Sequence, residues 1–305
     1  MTLRHKMLKA ARTGTLLLGT DRPARWRPAE PAEARHATIA FLRSRQNPDG
    51  GFRGRAAHSD LYYTVFALDA LTALGAELPR EPVARYLSAF GYGEGLDLVH
   101  LACLARCWAA LGEIPAQAAA LRARLEAHRA NDGAYAPTPS AQHGTAYACF
   151  LALGAYEDLS ANPPDPAGVI RSLGALKRPD GGYANEAQLR SASTPATAAA
   201  VTLLRHLGQP VAEDSAAWLL ARHGPDGGFR ATPAAPMPDL LSTATALHAL
   251  AAVGALPPNL AAHCRDFIAS LRTDDGGYRG AWLDDVPDAE YTFYALLALG
   301  HLTEA

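Results

Sequence analysis

Carboxylates and histidines recur just ahead of a set of helical runs, where acid–base or anion chemistry would sit. Asp60, Asp97, Asp239 and Asp288 each stand four residues before Thr64, Leu101, Thr243 and Thr292, with Ala141 and Ser193 at the matching places before Thr145 and Thr197. Two residues before the same six positions stand Tyr62, Val99, His143, Pro195, Leu241 and Glu290; one residue before stand Tyr63, His100, Gly144, Ala196, Ser242 and Tyr291. An aspartate or serine directly before a helix accepts a backbone N–H and complements the helix dipole. Several such helix starts converging on one mouth would also make an electropositive rim suited to a diphosphate. His100 and His143 are candidate acids, bases or phosphate ligands. The faces of Tyr63, Phe66, Tyr147, Phe293, Tyr294 and Trp282 are candidates for stabilising a cation inside an apolar cavity.

The elements that must position these residues repeat. Asn47-Pro48-Asp49-Gly50-Gly51-Phe52, Asn131-Asp132-Gly133-Ala134-Tyr135, Pro179-Asp180-Gly181-Gly182-Tyr183, Pro225-Asp226-Gly227-Gly228-Phe229 and Asp274-Asp275-Gly276-Gly277-Tyr278 recur at near-even spacing, with a degenerate copy at Gly91-Tyr92-Gly93-Glu94-Gly95. Self-similarity of this kind marks stacked supersecondary units. Apolar runs closing on a glycine, at Gly75, Gly112, Gly154, Gly208, Gly254 and Gly300, count six units independently. Each unit opens with an amphipathic stretch such as Glu33 to Arg45, passes through the turn, and ends in a nearly unbroken apolar stretch such as Tyr62 to Leu74. The first reads as an outer helix with one wet face, the second as an inner helix that is buried or faces a greasy cavity.

Neither end of the array carries a polar capping repeat of the kind an open solenoid needs, so the units are expected to close into a ring. The expected fold is all-α, an α6/α6 barrel (toroid) of six helical-hairpin repeats, with residues 1–32 as an N-terminal lead-in and 33–305 as a single barrel domain. The turns themselves are read as scaffold, their aspartates bonding their own backbone and their aromatics filling gaps between units.

With 305 residues and 49% hydrophobic content, the chain can bury a large core, and a net charge of −2 offers nothing to nucleic acid or an anionic membrane surface. Cys103, Cys107, Cys149 and Cys264 fall within helical runs, which favours buried free thiols and a reducing cytoplasm. No stretch approaches the roughly 20 apolar residues of a membrane helix, and the start reads as no signal peptide. The bias towards alanine, arginine and proline points to a bacterium with GC-rich DNA.

Gln46-Asn47-Pro48-Asp49-Gly50-Gly51-Phe52, behind Phe41-Leu42, resembles the repeat of squalene and oxidosqualene cyclases, with phenylalanine for the usual tryptophan. Gly50-Gly51-Phe52-Arg53-Gly54-Arg55 followed by Asp60-Leu61-Tyr62-Tyr63-Thr64 resembles the repeat of protein prenyltransferase β subunits. The resemblance spans about residues 33 to 302 and implies the α6/α6 barrel, with the active site at the starts of the inner helices.

The two families imply different chemistry. Zinc-dependent protein prenyltransferases carry, in this frame, Asp-x-Cys in the fifth unit and a histidine just before the threonine of the sixth; the matching residues here are Asp239, Leu241 and Tyr291, so zinc is not expected. The basic pattern after the fifth Gly-Gly-Phe is also broken, by Thr232. Class II terpene cyclases carry Asp-x-Asp-Asp-Thr there, the middle carboxylic acid protonating an alkene or epoxide, and the sixth unit reads Asp288-Ala289-Glu290-Tyr291-Thr292. Glutamate serves if burial keeps it protonated.

The expected function is therefore an isoprenoid-binding enzyme, a class II-type terpene cyclase working without zinc. Glu290 and Asp288 are the expected catalytic residues, with Asp60 and Asp97 next in line. Tyr63, His100, His143, Tyr147, Asp239, Tyr291, Tyr294 and Trp282 are expected around the substrate, and Mg2+ would accompany it only if it is a diphosphate. The alternatives are a prenyltransferase β-subunit-like protein working with an α-type partner subunit, or a non-catalytic barrel that binds an apolar molecule or a protein.

Overall fold

Each repeat is assembled around its turn. The turn aspartates Asp49, Asp132, Asp180 and Asp275 accept the backbone N–H two residues on, at 3.0–3.2 Å. The aromatic that follows is buried, and its own N–H donates to a threonine of the inner helix: Phe52 to Thr64, Tyr183 to Thr197 and Phe229 to Thr243 at 2.9 Å, Tyr278 to Thr292 at 3.2 Å. These threonines thus satisfy a buried donor while fixing the turn on the helix start. The computed structural model describes residues 1–19 and 30–303.

Thirteen α-helices are formed among the described residues: α1 (Leu3–Gly14), α2 (Pro31–Ser44), α3 (Leu61–Ala73), α4 (Arg80–Ser88), α5 (Leu98–Ala110), α6 (Ala118–Glu126), α7 (Ala146–Asp158), α8 (Pro166–Leu176), α9 (Thr194–His206), α10 (Glu213–Leu220), α11 (Leu240–Ala252), α12 (Ala261–Ser270) and α13 (Ala289–His301). The odd-numbered helices from α3 to α13 pack side by side, and α13 returns to α3, closing an inner ring; the even-numbered helices lie outside it. Arg35, Arg80 and Arg265 of the outer layer donate to the end carbonyls of Leu74, Leu111 and Leu302, placing cations where the inner-helix dipoles are negative.

The closing seam repeats the internal ones. Gly50, at φ +98°, lets its turn lie on α4, where an added Cβ would stand 2.0 Å from the Pro82 carbonyl oxygen. Gly276, at φ +93°, does the same on α2, 2.5 Å from the carbonyl carbon of Ala37, and Thr38 donates to the Gly276 carbonyl at 2.9 Å. The last repeat meets the first as any repeat meets its successor.

The third repeat departs from the expected register. Thr145 is itself the N-cap of α7, accepting from Ala148 N–H, and Cys149 takes the place that the threonines hold elsewhere, its Sγ 3.9 Å from the Tyr135 carbonyl. Asn185, reaching over from the next repeat, accepts the N–H groups of Ala146 and Tyr147 at 3.0 Å and completes the cap. Gly154 consequently lies inside α7, which ends at Asp158, and Ser160 just past that end takes φ +54°. Gly300 likewise lies inside α13 rather than past its end.

Helix α1 packs across the ends of the inner helices remote from their starts. Arg4 reaches Asp69 and the Ala109 carbonyl, Leu3 N–H donates to Glu157, and Lys6 meets His206. Gly14 lies against the Leu296 carbonyl and Gly300 against the Ala10 carbonyl, so α1 and α13 touch backbone to backbone. The four cysteines are free and buried. No helix among the described residues is long and apolar enough to cross a membrane.

Candidate functional site

An inner helix shows the same face to the barrel centre at steps of four and three residues. Starting from the second residue of each inner helix, the first level holds Tyr62, Val99, Tyr147, Pro195, Leu241 and Glu290. One turn deeper come Phe66, Cys103, Leu151, Ala199, Thr245 and Tyr294, and a further turn down Asp69, Arg106, Gly154, Thr202, His248 and Leu297. Between these levels lies a cavity of ≈ 420 Å³, floored by Met7 of α1 and lined by Glu290, Tyr62, Tyr147, Leu241 and Tyr294 among others. A smaller space of ≈ 70 Å³ adjoins it beside Arg106, Gly154 and Asp158.

Glu290 stands in the cavity wall, buried to 9% exposure. The Tyr62 hydroxyl donates to its Oε1 at 2.6 Å, so a proton on the carboxyl would ride on Oε2. Burial pushes this carboxyl up to about 7; the Tyr62 hydrogen bond and Arg55 oppose the shift and Asp288 adds to it. Asp288, the N-cap of α13, accepts Tyr291 N–H on Oδ1 at 2.9 Å, while its buried Oδ2 has no hydrogen-bond partner and lies 3.7 Å from Arg55 Nε. Burial pushes it up to about 6. Near neutral pH Glu290 is therefore partly protonated where an exposed carboxyl would be ionised, while Asp288 takes up its proton at slightly lower pH. Around them Tyr62 packs edge-on to Phe66 at 5.1 Å, and Phe66, which lines the smaller adjoining space, meets Tyr294 at 5.4 Å, so Tyr62 and Tyr294 give the cavity electron-rich faces.

Tyr147 lines the cavity yet remains 43% exposed, which puts it at the mouth. Asp60, Asp97 and Asp239 are N-caps of α3, α5 and α11. His100 bridges Asp97 at 2.8 Å and Asp60 at 3.4 Å on the rim; burial works against it, but the His100 hydrogen bonds hold Asp97 below its usual range. With four of six inner-helix starts capped by aspartate, the rim's dipoles are already answered by carboxylates, which opposes the electropositive rim expected for a diphosphate. Asp239 accepts Ser242 N–H and its hydroxyl at 2.7 and 2.8 Å. Leu241 faces the cavity and Tyr291 packs on Gly280, so the donor set for a thiolate-activating zinc does not fit here, and among the described residues no group of three His, Cys, Asp or Glu side chains is arranged to hold a metal ion.

Six of the eight expected substrate contacts lie outside the cavity lining, His100, Asp239 and Tyr291 at the helix starts described above and three more elsewhere. Tyr63 packs on Gly54 beside Tyr62, outside the cavity lining. His143 is exposed and faces Asp132 at 3.7 Å, because the third repeat is shifted and Tyr147 takes the level that His143 was expected to fill. Trp282 stacks on Phe267 of the outer layer and donates to Ser270. Thr202 and His248 were not anticipated, although counting seven residues on from Pro195 and Leu241 reaches them.

The chain matches the family profile described as the prenyltransferase alpha-alpha toroid domain over residues 16–95 and 124–303. No curated protein matches it. Among solved structures it is similar to a variant of the type II terpene cyclase MstE from Scytonema in complex with geranylgeranyl dihydroxybenzoate (substrate), at 16% identity and TM-score 0.64 over 89% of this chain and 96% of that one. It is also similar to Candida albicans protein geranylgeranyltransferase-I complexed with GGPP, at 13% identity and TM-score 0.67 over 86% and 89%. At these identities the likeness establishes the shared toroid.

Proposed function

Because the chain belongs to the prenyltransferase alpha-alpha toroid family, we propose that it is a class II-type terpene cyclase, working without zinc, that protonates an isoprenoid held in the barrel. The observation that carries this reading is Glu290, a carboxyl raised to about 7 in the wall of a ≈ 420 Å³ apolar cavity with Tyr62 fixing one oxygen. Cavities of about 300–1,000 Å³ suit ligands of this size.

In the proposed step the Glu290 O–H bond breaks as a C–H bond forms at a substrate alkene, leaving a tertiary cation. An internal alkene attacks it to close a ring, the final cation gives a proton to solvent and Glu290 regains one from solvent, so the reaction is a redox-neutral isomerisation. The faces of Tyr62 and Tyr294 stabilise the passing charge. Asp288 raises the affinity of Glu290 for its proton and acts as a positioning residue at the helix start. Buried free cysteines support a reducing, cytoplasmic setting. A second reading, a β-like subunit with a protein partner, is favoured by exposed Trp282, Leu283 and Val286 in one loop.

Incubation of the protein in D2O with geranylgeraniol, a geranylgeranyl phenol or geranylgeranyl diphosphate tests the reading. Cyclised product carrying one solvent deuteron at the initiating carbon is expected, with Glu290→Gln slower by about 10²–10⁴-fold, the contribution of a general acid. Turnover that survives in that variant places the acid elsewhere.

A further inference from the structure

Among the described residues, two polar atoms deep in the cavity, the Thr202 hydroxyl and His248 Nε2, have no hydrogen-bond partner. Thr202 and His248 occupy the same level on neighbouring helices α9 and α11, both line the cavity, and they are 5% and 8% exposed. His248 Nδ1 lies 2.9 Å from His301 Nε2, which commits that nitrogen and leaves Nε2 with nothing to bond. Thr202 makes no hydrogen bond through its hydroxyl, unlike Thr245 one turn above on α11, which donates to the Leu241 carbonyl at 2.7 Å. Buried polar groups are ordinarily satisfied, so two left open to the cavity at one level of neighbouring helices are complementary to a ligand.

We propose that Thr202 and His248 form a hydrogen-bonding subsite for a neutral head group, a hydroxyl or phenol, at the deep end of an apolar isoprenoid chain; this rests on the reading that the cavity holds an isoprenoid. The subsite lies seven residues down the inner helices from the level of Glu290, roughly 10 Å at the helical rise. A chain anchored there therefore presents an internal or distal alkene to the acid.

The surrounding charges favour a neutral head over a diphosphate. Lys6 is hydrogen-bonded to His206, which in turn meets Glu157 at 2.6 Å. Arg4 and Arg106 are both held by Asp69. Burial lowers His248 to about 3, with His301 and Lys6 adding to the effect, and burial lowers His301 to about 4, so neither imidazole is charged at neutral pH. Among the described residues, Lys6, Arg4 and Arg106 at this end of the cavity are each already engaged by a protein partner. A hydroxyl both donates and accepts, so it suits either tautomer of His248.

Calorimetric titration of the Glu290→Gln protein, in which turnover of the probe is expected to be slow, with geranylgeraniol and with geranylgeranyl diphosphate provides the test. The alcohol is expected to bind at least about tenfold more tightly. Thr202→Val, which is isosteric, and His248→Gln are each expected to weaken the alcohol about fivefold, the size of one neutral hydrogen bond, and Thr202→Ser restores it. Alcohol binding that is unchanged in both variants, or no tighter than that of the diphosphate, overturns the subsite while leaving the isoprenoid cavity standing. Absence of binding by either probe overturns both.

Discussion

The Tyr62 hydroxyl lies 2.6 Å from Glu290 Oε1, tying the first inner helix of the ring to the last across the closing seam. A donor on one carboxyl oxygen stabilises the ionised form, so this bond draws the Glu290 pKa down against burial. Tyr62→Phe is expected to move the descending limb of the pH–rate profile to higher pH and to reduce kcat, because the carboxyl gains a less acidic proton and loses its fixed orientation. A limb that stays in place separates the limb from Glu290.

The raised carboxyl also ties stability to pH. Folded Glu290 holds its proton up to about 7 against an ordinary value of 4.5, so between those values the folded protein binds more protons than the unfolded chain. The sign follows: the cost of ionising Glu290 is absent below about pH 4.5, grows as pH rises to about 7, and is complete above it. Glu290→Gln removes that cost and is expected to stabilise the protein at pH 8 by on the order of 3 kcal/mol, with little effect at pH 4.5. Urea melts of both proteins at the two pH values make the comparison.

Much of this arrangement is legible in the sequence, because the turns need glycines where a Cβ would strike the next helix and the inner helices need apolar residues on every face. The repeats and their closure into a ring are read from that pattern, whereas Glu290 is singled out only by the resemblance of residues 288–292 to the class II cyclase motif. The third repeat departs from the pattern because Thr145, in sequence like the threonine that anchors a turn, caps α7 and leaves Cys149 in the anchoring place. Gly154 and Gly300 resemble helix ends, yet one lies in a helix at the cavity wall and the other makes room for α1. Trp282 is apolar enough for a cavity, but its turn points it at Phe267 in the outer layer. Side-chain direction at a loop carries no periodic signal, so it had to come from the structure.

Zinc is expected to be absent. Asp239 spends both oxygens on Ser242, and the positions beside it are Leu241 and Tyr291, neither a soft ligand. Elemental analysis of protein purified without added metal is expected to find well under one zinc per chain, and a chelator is expected to leave Tm unchanged. One tightly held zinc per chain would return thiol prenylation to consideration.

Asp69 is fully buried between two guanidinium groups: Arg4 Nε at 3.0 Å from α1 and Arg106 Nε at 2.7 Å from α5. The cluster fastens α1 beneath the cavity, and it does so with charges whose desolvation is costly unless each is matched. Asp69→Ala strands two buried cations and is expected to destabilise the protein by about 3–5 kcal/mol. Replacing all three together, with Arg4→Met, Asp69→Leu and Arg106→Met, removes the charges along with their pairing and is expected to recover most of that loss. Urea unfolding at pH 7 measures both. If the triple variant is no more stable than Asp69→Ala alone, the cluster acts through side-chain shape at the barrel floor rather than through charge balance.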